Sequence, residues 1–542
     1  MEFFVKPKLQ AAPMVLDNFD ITSRFLSLID SNNNQKATTV KSTQQHNKKN
    51  FLFALLRNPY FWIILVAFTI RITTMGLYPI GDTTEARYSE IARKMVESNN
   101  WIMPQYENGE PFWGKPPLSI WLQAITFKIL GYGEFAARLS TLLISLLTVL
   151  LVFNFTKQQL GRNAAWIAAT LLSTNVLFYI LSAAVLMDPL LTFGTTLSMV
   201  AFWQAIKDRG RYWGYLFFVG IAIGLMSKGP VAGVLVALPL IIWLSLSSNW
   251  RLALKQLPLY SGTLLMLSLA LPWYVLAENA TPGYLEYYII GEHWERFTTA
   301  GWQGNRYGST HSTYMGAIWV EWLIAAFPMS IILIAAFTTL VWRKKTAALS
   351  TISEPWVLYL ILWGSTLMLF FTFSGNVITT YIQPALPAAA ILVAGLWRKN
   401  ALKTISKKKQ TRKSISIITI AGILIPLFYL AVILFHMPKV ADHNSEKFLI
   451  EKFDSIKNNK NARLIYLYIL PSSAEYYSRG KTEVVHSTAE IPSNIMASQD
   501  IYFAIPVDYM GDITDKIKPC LKKIERYERY TLFKGNQQDC KA

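Results

Sequence analysis

Three short segments hold the residue types from which a reaction could be built. In Trp113-Gly114-Lys115-Pro116-Pro117 two prolines fix an extended backbone and remove two amide donors, which holds a lysine at the start of an apolar helix. A lysine so held can meet a phosphate as a point charge; the alternative is a side chain snorkelling from a membrane interface. The run Gly81-Asp82-Thr83-Thr84-Glu85-Ala86-Arg87-Tyr88 puts a carboxylate just ahead of a helix start. Asp82 there is either a catalytic acid–base group or an Asx-turn residue. The third segment, Gly291-Glu292-His293-Trp294-Glu295-Arg296-Phe297, sets His293 and Arg296 three apart, on one helical face. Glu292 and His293 are of the type that corners a divalent metal, and Arg296 can grip a phosphate through paired hydrogen bonds. Asp188 and Lys228 stand at the ends of apolar runs, where they read by default as helix-end charges; lying on one side, they are alternatively a joint site.

The elements that must carry these groups are membrane helices. The chain has 542 residues, 52% of them hydrophobic, with a mean hydropathy of +0.29, more apolar than a soluble protein of this length needs. Long stretches with few charges run near 59–79, 135–157, 163–187, 189–206, 212–227, 229–250, 257–277, 315–342, 355–397 and 414–437. The charge-free 355–397 is long enough for two spans, turning at Ser374, Gly375 and Asn376. About eleven crossings result; residues 117–131 are left out of that count because including them inverts every later loop.

Basic residues then fall in alternate loops: Lys157 and Arg162; Lys207, Arg209 and Arg211; Arg251 and Lys255; Arg343 to Lys345; and the acid-free stretch 398–413. The net charge of +19 is therefore mainly a topology signal and not the footprint of a nucleic-acid binder. Loops 80–134 and 278–314 and the tail after 438 face the opposite, outer side, and all three chemical segments lie on that side. The first 55 residues, polar and lysine-rich, read as a disordered cytoplasmic extension. In the tail, Arg463 to Leu470 and Ile501 to Val507 read as strands and Ser472 to Ser478 as helix, so 439–542 is expected to form a small α/β domain. Two cysteines, Cys520 and Cys540, exclude a disulfide framework but leave one bond open. Walker, dinucleotide-binding, D-x-D and G-x-S-x-G motifs are absent from the sequence, which points away from cytosolic nucleotides as the energy source.

The ordered runs DTTEARYSEIARKM, PFWGKPPLSIWL, GEFAARLS, MDPLLT, MSKGP, LPWY, EHWERF and TYIQPALPAAA resemble the lipid A aminoarabinose transferases and related bacterial family-39 glycosyltransferases, over about residues 59–400. The resemblance implies an α-helical polytopic membrane protein of GT-C type, with about 11 to 13 transmembrane helices, spanning 56–438 and followed by a periplasmic α/β domain. It further implies transfer of one sugar from an undecaprenyl-phosphate carrier, at the periplasmic face of a bacterial inner membrane, to lipid A or another periplasmic acceptor. Carried onto this sequence, the motifs assign catalysis to Asp82, Glu85 and Lys115. They assign the donor phosphate to Arg87, Tyr88, Lys115 and Arg296, and an optional divalent metal to Glu292 and His293. The sequence departs from the motifs at Thr84 and Gly114, where acids are expected, and at Asn376 to Ile378, which stand where a late lysine would fall. These departures imply another sugar, another acceptor or both. The rival readings are a protein O-mannosyltransferase and, from a different class, a transporter or flippase of lipid-linked sugars. Against the second, the polar residues gather in two outer loops and not along the helix midplanes.

Overall fold

A computed structural model of the chain describes residues 55–107, 109–307, 312–342, 354–403, 408–457, 459–487, 500–513 and 518–536. The N-terminal extension and the basic residues Arg343 to Lys345 lie outside the described residues. The chain divides into two units, Met1–Trp62 and Ile63–Ala542, and everything below concerns the second.

Each interval marked above as a span contains helix, though 75–79, 182–187 and 372–378 are not helical. Among the described residues five helices are long and apolar enough to cross a bilayer: Glu134–Leu160, Asp188–Ile206, Leu259–Ala280, Thr379–Arg398 and Ile418–Asn444. Shorter apolar helices are Pro59–Thr74, Leu118–Leu130, Tyr212–Lys228, Val231–Ser247 and Pro355–Phe371. Leu118–Leu130 has 13 residues, about 20 Å at 1.5 Å per residue, and is the shortest of these. Two expected spans are broken. Ala317–Ala325 and Met329–Thr339 meet at 109°, and the break falls at Pro328, which has no amide to donate. The run 163–187 divides at Asn175, whose side chain caps the restarting helix by accepting from Phe178 N at 3.0 Å. Its amide nitrogen also donates to Ala325 O and Phe327 O, so the two breaks hold each other.

Helices Asp188–Ile206 and Tyr212–Lys228 pack closely because small residues line their seam: a Cβ on Gly194 would lie 2.7 Å from Gly220 O. Ser198 Oγ donates to Phe217 O at 3.0 Å across the same seam. The pairing brings the N-terminal Asp188 and the C-terminal Lys228 to one end, each on the side its helix dipole favours.

The tail forms a five-stranded sheet of order β2-β1-β3-β5-β4, with β1 Arg463–Leu467, β2 Glu483–Val485, β3 Ile501–Pro506, β4 Leu521–Arg526 and β5 Tyr530–Gly535. β1 runs parallel to β2 and β3, and β5 antiparallel to β3 and β4. Alternate residues of β1 and β3 feed two cores. One holds Leu464, Tyr466, Tyr502 and Ala504 against Leu449, Ile450 and Phe453 of helix Lys447–Ile456; the other holds Ile465, Leu467, Phe503 and Ile505.

Helix Thr84–Ser98 is buried on its polar side as well as its apolar one. Its polar face is not solvated: Glu90, Arg93 and Lys94 are buried. Lys94 pairs with Glu475 of helix Ser472–Ser478 at 2.6 Å, so the C-terminal unit covers that face.

Candidate active site

Three elements converge on one carboxylate. Pro117 starts helix Leu118–Leu130 and leaves Lys115 directly ahead of it, while the π-helical segment Glu286–Glu295 presents Glu292. Lys115 Nζ lies 2.9 Å and Arg296 Nη1 3.0 Å from the same Glu292 Oε2, so the two cations are within about 6 Å of each other despite their separation in sequence. Glu292 Oε1 accepts from Tyr287 OH at 3.3 Å. Burial alone would raise the Glu292 pKa, but Lys115 and Arg296 hold it down to about 2. Arg296 is itself fixed by the turn expected at 374–376: Asn376 Nδ2 donates to Arg296 O at 2.6 Å and to Thr299 O at 2.7 Å.

A third cation completes the cluster. Lys228 Nζ pairs with Asp188 Oδ1 at 2.7 Å and stands 4.5 Å from the centre of the Tyr381 ring. Lys115, Lys228 and Arg296 line one end of a cavity of about 450 Å³ whose other walls are largely apolar, among them Val231, Val234, Leu235, Ile289, Phe297 and Phe370. Glu292 is the one carboxylate in that lining. The sequence reading left Lys228 as a helix-end charge; its only signal was a shared outer side with Asp188.

The remaining expected site residues divide. Tyr88 is close enough to act electrostatically on Arg296, and its ring packs edge-on against Phe112 at 5.9 Å. Arg87 turns to Tyr307, whose carbonyl accepts from Nη1, and its buried Nε has no partner among the described residues. Glu85 and Asp82 are not in the cluster. They line a different cavity, of about 340 Å³, with Tyr78, Thr84 and Ala441. Glu85 is bound twice by Arg138, at 3.1 and 2.6 Å, and accepts from Val185 N at 2.9 Å; burial opposes its charge, yet Arg138 and these amides keep its pKa below the usual range. That is an anchor for a buried arginine, not a group free to move a proton. Asp82 accepts from Ser473 N at 2.8 Å and from Ser473 Oγ, and pairs with Arg529 at 2.6 Å. It ties the first loop to the sheet unit, and both of its oxygens are engaged.

The metal corner does not form either. Both oxygens of Glu292 are engaged, and the His293 ring nitrogens lie 2.8 Å from Tyr288 O and 3.0 Å from Lys228 O, with neither turned to Glu292. Burial also lowers the His293 pKa. Among the described residues there is no group of three or more His, Cys, Asp or Glu that could hold an ion. The residues present do not fit a metal.

The Asp82 contact has a pH signature. Arg529 bridges Asp82 and the buried Glu446, and Tyr466 OH faces Glu446 at 3.4 Å. Burial pushes the Glu446 pKa up from 4.5 to about 7 against the pull of Arg529, with the Asp82 charge adding to the rise. The folded unit therefore keeps a proton that the unfolded chain releases, and its stability falls as pH rises from about 4.5 to 7. Amide exchange in β1 and β3 is expected to be slower at pH 5 than at pH 8 after correction for intrinsic rates, and Glu446→Gln should flatten the difference. An unchanged slope in that variant would assign the effect elsewhere.

With the geometry in hand, the comparisons are informative. A family model described as dolichyl-phosphate-mannose-protein mannosyltransferase matches residues 55–288. The chain is 29% identical over 317 residues to an undecaprenyl phosphate-alpha-4-amino-4-deoxy-L-arabinose arabinosyl transferase of Edwardsiella ictaluri, covering 57% of this chain and 54% of that one. It is 27% identical over 380 residues to the protein of that name from Erwinia tasmaniensis, covering 68% and 64%. The chain thus spans a little over half the length of the curated relatives it matches. In structure it is similar to ArnT from Cupriavidus metallidurans bound to undecaprenyl phosphate, with a TM-score of 0.70 and 18% identity over 87% of this chain and 97% of that one. The fold is accordingly the GT-C membrane fold expected, with a small C-terminal sheet.

Proposed function

We propose that this chain is a membrane glycosyltransferase that takes one monosaccharide from an undecaprenyl-phosphate carrier and transfers it to a phosphorylated lipid such as lipid A. The observation that carries the reading is the cavity with apolar walls that closes on Lys115, Lys228 and Arg296. An isoprenoid needs such walls, and its phosphate needs such an end. Relatives named for undecaprenyl phosphate-linked donors and the fold shared with a transferase bound to undecaprenyl phosphate support it.

In this reading the bond from the sugar's anomeric carbon to the phosphate oxygen breaks as the bond to the acceptor oxygen forms, and the polyprenyl phosphate departs with the electron pair. Lys115 and Arg296 are held in place by their shared contact with Glu292, so both cations are positioned before the donor arrives. Lys228, in the same lining, adds to the neutralisation of the growing charge, and Tyr88 supports Arg296 from outside that lining.

The family model favours a second reading, a protein mannosyltransferase, which needs a base for a serine or threonine hydroxyl. Glu292, with a pKa of about 2, is too weak a base, and Asp82 is committed to Ser473 and Arg529. A phosphate acceptor is already ionised and loses no proton, so the lipid acceptor is preferred. The 439–542 domain is read as periplasmic from the alternation of basic loops. The test is to incubate purified protein with radiolabelled undecaprenyl-phosphate sugars and total membrane lipids. Label in a phosphorylated lipid is expected; label in protein alone would transfer the case to the mannosyltransferase reading.

A further inference from the structure

Beside the phosphate cluster stands a cation that the transfer reaction has not used. Arg306 is exposed, and its guanidinium carbon lies 4.5 Å from the Trp113 ring centre and 5.0 Å from that of Tyr287, two rings 5.8 Å apart. Contact with the rings holds the plane of the group, while its N–H edges stay open to solvent: among the described residues no carboxylate pairs with it. The clamp is fixed to the cluster on both sides. Trp113 is two residues from Lys115, and Tyr287 OH accepts from Arg306 N at 3.2 Å while donating to Glu292. The clamp therefore adjoins the cluster of Lys115, Glu292 and Arg296 from outside the lining of the apolar cavity.

We infer that the transferred sugar carries a carboxylate, which Arg306 receives through its open edge; the inference rests on the proposed transfer reaction. The charge inventory supports it. Glu292, the single acid of the cavity lining, is already shared by two cations; of its neighbours, Glu295 accepts from Trp302 Nε1 at 3.0 Å and Glu110 lies in an exposed turn. An amino sugar of the kind in the relatives' names would bring a positive charge beside Lys115, Arg296 and Arg306, where Glu292 is already shared by two cations. An acidic sugar meets a planar fork suited to paired hydrogen bonds. Its carboxylate takes no part in the bond changes at the anomeric carbon; it selects the donor.

The test uses the full chain in nanodiscs with three undecaprenyl-phosphate donors, a uronic acid, the matching neutral hexose and an amino-pentose, and one lipid extract as acceptor. The uronic acid is expected to have the highest kcat/KM. Arg306→Gln should lower the ratio of acidic to neutral kcat/KM at least about tenfold through KM, and Arg306→Lys, which keeps the charge and loses the fork, should restore part of it. Preference for the amino-pentose, or an Arg306→Gln protein with an unchanged ratio, overturns the assignment while leaving the transfer reaction standing. Turnover of none of the donors, together with failure to bind undecaprenyl phosphate, would overturn both.

Discussion

Replacing Lys115 by alanine is expected to lower turnover at least about a hundredfold while the protein is made and inserted normally. The lysine is one of three cations in the lining of the cavity, and in the proposed reaction it stabilises the departing phosphate. Losing a preorganised charge from such a site costs about 3 kcal/mol of transition-state stabilisation, which is the hundredfold. Folding is spared because Arg296 still neutralises Glu292 in the variant. Arg296→Ala should behave alike, and the double variant should lose less than the sum of the two, since both act on one phosphate. Single-turnover rates with saturating donor measure this; a Lys115→Ala protein within threefold of the parent would remove Lys115 from the chemistry.

Arg138→Ala is expected to be the most damaging change to stability, at about 3 to 5 kcal/mol. Arg138 is fully buried, pairs with Glu85, and donates to Met75 O, Tyr78 O and Pro79 O at 2.7, 2.9 and 2.9 Å. Its removal leaves a half-buried carboxylate and three carbonyls without their donor. Expression yield and thermal melting in detergent should both fall sharply, and Glu85→Gln added to Arg138→Ala should recover part of the loss by removing the stranded charge. The same pair of variants separates the two views of Glu85. A catalytic glutamate loses activity with melting unchanged, whereas an anchor loses both together.

The sequence made the helices and the cations legible for different reasons. Apolar runs mark spans because the bilayer imposes a length, and even the turn at Ser374 to Asn376 shows in a run with no charge. Lys115 and Arg296 were legible because their local contexts, two prolines and a dense charged hexad, are unusual for an apolar chain. Asp82 was not, because its partners Ser473 and Arg529 lie 391 and 447 residues away and nothing local marks them. Lys228 was missed because a lysine at a helix end looks the same whether it faces lipid headgroups or a ligand. In the tail, β1 and β3 are buried on both faces and read as apolar runs, whereas β4, Leu-Lys-Lys-Ile-Glu-Arg, is a charged edge strand that reads as surface.

The account stands or falls on whether the cavity takes a polyprenyl phosphate by its charge. Binding of undecaprenyl phosphate and of undecaprenol to the full chain in nanodiscs, measured side by side, tests this. The phosphate is expected to bind at least about tenfold more tightly than the alcohol, and the Lys115→Ala, Arg296→Ala double variant should bind the two alike. Equal affinity for phosphate and alcohol in the unaltered protein, or full retention of phosphate binding in the double variant, would contradict it.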